Sequence, residues 1–179
     1  LNDSKIVQSE DLKIIAEPID YLGLNYYVHE VVKYDRTIPQ IQARRIAPLG
    51  PLTTIGSGLR PDGLEKILMM PKKDYGSNIP IFVTEVGYLF NDYVNPNGRV
   101  NDKERIKYYE GALRAVKNTI DQGINLRGFY CWTLLDDFEW DSGYSSRYGI
   151  VFVDYATQTR TPKDSAYWFK DVVRNNGFI

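Results

Sequence analysis

The chain has 179 residues and a formal net charge of -1, with 43% of its residues apolar and 25% charged. An apolar fraction of this size is ample for a core and excludes a disordered or low-complexity chain. Because 22 Lys and Arg nearly balance 23 Asp and Glu, the positive surplus that phosphate-backbone binding needs is absent, and nucleic acid is not an expected partner.

The sequence of the first half of the chain predicts two helices and one strand. A short helix is predicted after Ser9, with acidic residues at its start and Pro18 at its end. Residues 19–27 follow as a strand. The stretch 28–60 is polar and rich in Pro and Gly, and it is too long for a simple connection, so we interpret it as a candidate functional loop. A helix that begins with a proline is predicted over 61–70.

The second half alternates strands with helices. Residues 79–84 form an apolar run typical of parallel strands buried on both faces. The clearest helix follows Asn101 and stops at Gly123. Its predicted buried stripe is Ile106, Tyr109, Leu113, Val116 and Ile120. Further strands are predicted at 128–133 and 150–153, and a closing helix at 162–175. This alternation predicts an α/β fold with a parallel sheet, which is either open or closed as a barrel. Three main strands are too few for a complete fold of either kind.

Polar and aromatic side chains stand where two predicted strands end. Glu85 follows one strand and Trp132 lies at the end of the next, with Asp-Asp-Phe-Glu-Trp at 136–140 just beyond. The carboxyl ends of parallel strands are where sites form, so two or three carboxylates and two Trp are expected at one mouth. Aromatic faces beside carboxylates suit a sugar. The alternative is that Trp132 is core and the acidic run is a solvated loop.

Asn25 and Tyr27 lie two apart on a predicted strand, so their side chains point to the same side. If that side faces the pocket, Tyr27 can donate a hydrogen bond to Glu85 and hold it ionised. Otherwise both are ordinary strand residues.

Other chemistries find little support. His29 is the only histidine, and metal-ligand spacings, glycine-rich phosphate loops and a nucleophile elbow are absent, so no metal or cofactor is expected. The single cysteine, Cys131, is interpreted as a buried structural thiol. The sequence contains no apolar run of about 18 residues and no signal-like start, which favours a cytoplasmic protein without membrane contact.

Separated motifs resemble glycoside hydrolase family 1, the β-glucosidase family. Thr-Glu-Val-Gly at 84–87 resembles its T-E-N-G nucleophile motif, and 20–27 resembles its sixth barrel strand. The run Trp-Thr-Leu-Leu-Asp-Asp-Phe-Glu-Trp at 132–140 and the segments 143–149 and 160–168 resemble its C-terminal signature. The motifs occur in the family's order and cover nearly the whole chain.

The resemblance implies that residues 1–179 are the C-terminal part, about strands six to eight, of one (β/α)8 TIM barrel catalytic domain. It implies a retaining β-glycosidase, with β-glucosidase favoured, acting on a β-glucoside or related small saccharide. Glu85 would be the nucleophile and Tyr27 its hydrogen-bonding partner. The substrate-binding residues would be Asn25, Trp132, Glu139, Trp140 and Tyr148.

The family's acid/base Glu belongs to an N-E-P motif upstream of these residues. Glu17 precedes Pro18, but Ala16 stands where that motif has Asn, so the pair does not supply it. A barrel of this type needs about 250 residues, and the first residue is Leu1 rather than Met. We therefore expect a complementary N-terminal fragment to complete the enzyme. The alternative is a non-catalytic half-barrel that carries a partial sugar site.

Three positions depart from the family pattern. Val86 replaces the Asn that follows the nucleophile, 57–58 reads Ser-Gly where the family usually has Trp-Glu, and Asp137 replaces an Asn. Residues 143–148 lack the pattern of the phospho-glucosidase branch, which favours an unphosphorylated sugar.

Overall fold

The computed structural model describes residues 6–49 and 60–178. The departure at 57–58 lies outside the described residues. The helices are α1 (Asp11–Ile15), α2 (Gly63–Tyr75), α3 (Lys103–Asp121) and α4 (Asp164–Asn175). The strands are β1 (Leu22–Tyr26), β2 (Val31–Tyr34), β3 (Ala43–Ile46), β4 (Ile81–Val86), β5 (Leu126–Cys131), β6 (Val151–Val153) and β7 (Arg160–Pro162).

A parallel sheet of three strands in the order β1-β4-β5 organises the fold. The helix α2 lies between β1 and β4 along the chain, and α3 connects β4 to β5. The predicted α/β alternation is therefore confirmed. Within the described ranges β1 and β5 are edge strands, so these residues form an open part of a sheet and not a closed barrel.

The core lies on the face of the sheet that α2 and α3 cover. In β4 the buried Ile81 and Val83 alternate with Phe82 and Thr84, which are more exposed. Leu64 and Leu68 of α2 and Tyr109 and Ala112 of α3 are fully enclosed against this face. Burying a Leu or Val side chain contributes about 1.5–3 kcal/mol, so this face accounts for much of the stability.

The buried face of α3 differs from the predicted stripe. Tyr109 and Val116 are buried as expected, but Ile120 is 44% exposed. The buried set also contains Arg105, Tyr108, Ala112, Ala115 and Thr119. Two of these buried residues, Arg105 and Thr119, are polar. Their polar groups are hydrogen-bonded inside the protein, Thr119 to the Val116 carbonyl and Arg105 to carbonyl and carboxylate oxygens.

Two helix boundaries differ from the prediction because prolines occupy unexpected positions. The helix α2 begins at Gly63, continues through Pro71 and ends at Tyr75, before Gly76 with φ of 63°. A proline inside a helix forfeits one backbone hydrogen bond, which the packing of α2 tolerates. The helix α4 begins at Asp164, because Pro162 belongs to β7 and pairs with Val151.

The stretch 28–60, interpreted from the sequence as a candidate functional loop, contains strands in its described part. They form an antiparallel hairpin in which Val31 pairs with Ile46 and Tyr34 with Ala43. Asp35 organises the connection between the strands by accepting hydrogen bonds from Thr37 and Arg44.

In the described portion of the chain, no helix is long and apolar enough to cross a membrane.

Candidate active site

The carboxyl edge of the sheet brings Glu85 and Tyr27 together. Glu85 lies within β4, one residue before its end, and Tyr27 directly follows the neighbouring strand β1. The Tyr27 hydroxyl donates a hydrogen bond of 2.5 Å to Oε2 of Glu85. From the sequence, this contact was expected only if the side of the strand that carries Asn25 and Tyr27 faces the pocket. A register irregularity in β1 between Leu24 and Asn25 accompanies the approach.

Beside this pair lies a cavity of about 560 Å³. Its lining residues are Tyr27, Glu85, Trp132, Asp137, Phe138, Glu139, Trp140, Asp141, Ser142 and Tyr148. The structure thus brings together every predicted site residue except Asn25. The Asn25 side chain is turned to its neighbour in the sheet, where its Oδ1 accepts a hydrogen bond of 2.7 Å from Thr84.

Trp132 is held against the end of β4. Its backbone N–H donates to the Val86 carbonyl at 2.8 Å. A Cβ placed on Gly87 would lie 2.0 Å from the Trp132 carbonyl oxygen, so only glycine permits this approach. Sequence reasoning missed Gly87 as a site residue, although it stands two positions after Glu85.

Trp132 and Glu139 form the second polar contact of the cavity. The indole Nε1 of Trp132 donates to Oε1 of Glu139 at 3.4 Å, a long hydrogen bond. The loop that carries Glu139 is closed by two backbone hydrogen bonds between Glu139 and Gly143, of 2.9 and 2.7 Å. Gly143 has φ of 59°, which favours glycine at this turn. Trp140 is 95% exposed at the open side of the cavity.

The electrostatics of the cavity keep its phenols protonated. Burial raises the pKa of Tyr27, and the hydrogen bond to Glu85 raises it further. Burial also raises the pKa of Tyr148, whose ring packs edge-on against Tyr27 at 6.1 Å between centroids. Both hydroxyls are therefore available as donors at neutral pH.

The pKa of Glu139 is also raised. Burial is the main cause, the hydrogen bond from Trp132 opposes it, and the nearby Asp137 and Glu85 carboxyls add to it. The negative charges of these two neighbours disfavour the ionised form of Glu139.

Asp136 does not join the cavity, whereas Asp137 and Glu139 of the same acidic run line it. The side chain of Asp136 is buried and accepts hydrogen bonds from Arg147 at 2.7 Å and from Lys163 at 2.8 Å. Lys163 also pairs with Asp92 at 2.6 Å, and Arg105 pairs with the same Asp92. These five side chains, called the ionic cluster below, tie together the loops after β4 and β5, the first turn of α3 and the residue that precedes α4.

Sequence reasoning did not find the ionic cluster. Arg105 lies on the core side of a helix and Lys163 precedes the first turn of another, and neither position suggests a buried charge. The cluster fixes the base of the loop that carries Asp137 and Glu139, because Asp136 directly precedes that loop in sequence.

In the part of the chain that the structure describes, no group of three or more His, Cys, Asp or Glu residues could hold a metal ion.

The carboxyl edge of this parallel α/β sheet thus carries a tyrosine-bound carboxylate beside two tryptophans. The chain belongs to glycosyl hydrolase family 1, because the model of that family matches residues 3–178.

The chain is similar to several curated β-glucosidases over part of their length. It is 43% identical to β-glucosidase A of Thermotoga maritima over 94% of this chain and 37% of that protein. It is 40% identical to β-glucosidase A of Acetivibrio thermocellus over 94% of this chain and 38% of that protein. The chain therefore spans little more than a third of the length of these relatives.

Solved structures agree with this placement. The family 1 β-glucosidase from Thermotoga maritima superposes with a TM-score of 0.90 and 41% identity, over 95% of this chain and 38% of that chain. A β-glucosidase from the same organism in complex with glucoimidazole superposes with a TM-score of 0.88. The described sheet and helices thus form a fragment of the TIM barrel fold of these neighbours.

Proposed function

We propose that the chain is the nucleophile-bearing part of a retaining β-glycosidase, with β-glucosides as the favoured substrates. The observation that carries this proposal is the hydrogen bond of 2.5 Å from Tyr27 to Glu85 at the wall of a cavity lined by Trp132 and Glu139. The curated relatives named β-glucosidases support the same assignment.

Glu85 is the nucleophile in this proposal. Its carboxylate attacks the anomeric carbon while the glycosidic C–O bond breaks and a second carboxylic acid protonates the leaving oxygen. The second carboxyl then takes a proton from water, and that water oxygen attacks the anomeric carbon and releases Glu85. Tyr27 positions Glu85, because its hydroxyl is the one group within the described residues that donates a hydrogen bond to that carboxylate.

The remaining predicted residues hold the saccharide. Trp132 offers a flat face for the C–H groups of the ring, and Glu139 accepts hydrogen bonds from sugar hydroxyls. Tyr148 forms an aromatic wall next to Tyr27. Trp140 lies at the cavity's open side. Asn25 reaches the saccharide in this proposal only if its amide turns away from Thr84.

The acid that protonates the leaving group lies in a complementary N-terminal segment in this proposal. A retaining site needs two carboxyls about 5–5.5 Å apart. The ionic cluster occupies Asp136, and Glu139 is assigned to sugar binding. The sheet described here is open at β1 and β5, which suits completion of a single barrel domain by further strands. We expect the chain alone to show no turnover.

Hydrolysis of an aryl β-glucoside tests the proposal. The protein is assayed alone and together with its upstream segment, and intact mass establishes which polypeptides are present. Turnover in the combined sample, lost in Glu85→Gln and kept in Glu104→Gln, is expected. Glu104 is the control because it lies exposed on α3, paired with Lys107.

A combined sample without turnover would favour a non-catalytic half-barrel fragment with a partial sugar site. An unchanged rate in Glu85→Gln would reject Glu85 as the nucleophile.

A further inference from the structure

Arg105, in the first turn of α3, is fully buried, and three backbone carbonyls accept hydrogen bonds from its guanidinium. Its Nη1 donates to the carbonyl of Tyr88 at 3.3 Å, its Nη2 to that of Arg147 at 3.1 Å, and its Nε to that of Gly149 at 3.3 Å. Nη2 also donates to the carboxylate of Asp92 in the ionic cluster. The pair with Asp92 compensates the buried charge, whereas the three carbonyl bonds hold the main chain.

These carbonyls belong to two loops at the carboxyl edge of the sheet. Tyr88 lies three positions after Glu85, in the loop that follows β4. Arg147 and Gly149 flank Tyr148, which lines the cavity. The guanidinium therefore binds the main chain on both sides of Tyr148 and joins it to the segment that follows Glu85.

A guanidinium can hold several carbonyls because its N–H donors are fixed in one plane. Carbonyls bound to different nitrogens of that plane are held in fixed positions relative to one another. The Arg105 side chain is itself confined, since it has no solvent exposure and its Cζ lies 4.9 Å from the centre of the Phe90 ring. A lysine keeps the charge but carries a single nitrogen, so it cannot replace the three bonds.

We propose that Arg105 is a positioning residue for the saccharide and acts through Tyr148. It sets the position of the Tyr148 ring against Tyr27, where the two rings meet edge-on with 6.1 Å between their centroids. Tyr27 and Glu85 are placed by the paired strands β1 and β4, so Arg105 affects the hold on the saccharide and leaves the nucleophile in place. The link to the saccharide rests on the proposed function, whereas the position of Tyr148 does not.

NMR of the protein with carbon-13-labelled tyrosine rings tests the positioning, and Tyr27→Phe and Tyr148→Phe assign the two ring signals. The wild-type protein should show a nuclear Overhauser effect between the two rings. Arg105→Lys should abolish this effect. Leu68→Ala, which truncates a buried side chain of α2, is the control: it destabilises the fold but should keep the effect. An unchanged effect in folded Arg105→Lys would overturn the proposal.

Two further measurements apply if Arg105→Lys does not fold. Arg105→Gln then takes its place, since Lys163 still pairs with Asp92 at 2.6 Å. In the wild-type protein, the Nε–H of Arg105 should exchange with solvent about 100-fold or more slowly than that of Arg127, which is exposed on β5. Equal exchange rates would overturn the hydrogen bond to Gly149 and with it the proposal.

Kinetics of the combined enzyme test the link to the saccharide. Arg105→Lys should raise KM for an aryl β-glucoside about tenfold and change kcat about twofold or less, because ground state and transition state lose the same contact. An unchanged KM together with a lost ring contact would overturn the link to the saccharide. A combined wild-type sample without turnover would instead count against the proposed function, and the NMR measurement alone would then decide the role of Arg105.

Discussion

The hydroxyl of Tyr27 lies 2.5 Å from Oε2 of Glu85, although the two residues are 58 positions apart in the chain. The hydrogen bond joins the residue after β1 to the end of β4, its parallel neighbour. Because burial and Glu85 raise the pKa of Tyr27, the phenol remains a donor throughout the pH range in which a glycosidase works.

Tyr27→Phe should lower kcat/KM of the combined enzyme about 10- to 100-fold, since a hydrogen bond to a charged group contributes about 1.5–3 kcal/mol. A carboxylate that loses a donor is protonated more readily, so the acidic limb of the pH-rate profile should move to higher pH. Tyr75→Phe, at a tyrosine that is 79% exposed on α2, is the control. An acidic limb that stays in place would contradict the role of Tyr27.

Asp136→Asn should destabilise the fold by about 3–5 kcal/mol, because it leaves Arg147 and Lys163 without their shared buried carboxylate. Urea unfolding followed by circular dichroism measures the loss. Asp121→Asn breaks the exposed pair with Lys117 and should cost about 0.5 kcal/mol or less. Similar losses in both variants would argue against a structural role for the ionic cluster.

Val116→Ala and Ile120→Ala distinguish the observed face of α3 from the predicted stripe. Val116 is 7% exposed and its truncation should cost about 2 kcal/mol, whereas Ile120 is 44% exposed and should change stability by about 0.5 kcal/mol or less. The midpoints of thermal or urea unfolding give the comparison. A larger loss for Ile120→Ala would restore the stripe that the sequence predicted.

Gly87→Ala should lower stability by about 1–3 kcal/mol, because the new methyl group would displace Trp132 from the end of β4. The displacement should also change the fluorescence of Trp132. Gly177→Ala is the control, since no atom lies within 4 Å of the position that its Cβ would occupy. Unaltered fluorescence and stability in Gly87→Ala would show that the close approach is not required.

Cys131 should react slowly with iodoacetamide in the folded protein. Burial raises its pKa from 9.0 to about 12, which lowers the thiolate fraction at neutral pH about a thousandfold. Mass spectrometry should find one alkylated site, formed about a hundredfold or more faster in urea than in buffer. Rapid labelling of the folded protein would reject the interpretation of Cys131 as a structural thiol.

The main strands and helices could be predicted from the sequence because their signals are local. The apolar run 79–84 and the alternation of strands with helices indicated a parallel α/β sheet, and β4 lies at that run. The positions of Glu85 and Trp132 near strand ends followed from the same reasoning, since the carboxyl ends of parallel strands lie at one edge. The hairpin at 31–46 escaped prediction because its short strands lie in a polar stretch with several prolines.

The sequence by itself determined the order of the main strands and helices, the family and the set of side chains that could form a site. Only the tertiary structure decided which of them meet. Asp136 and Asp137 are adjacent in the chain, yet one is neutralised in the ionic cluster and the other lines the cavity. Asn25 and Tyr27 were predicted on one side of a strand, yet only Tyr27 reaches Glu85. The physical reason is that these contacts depend on strand register and on charges brought together from distant parts of the chain, which local periodicity does not encode.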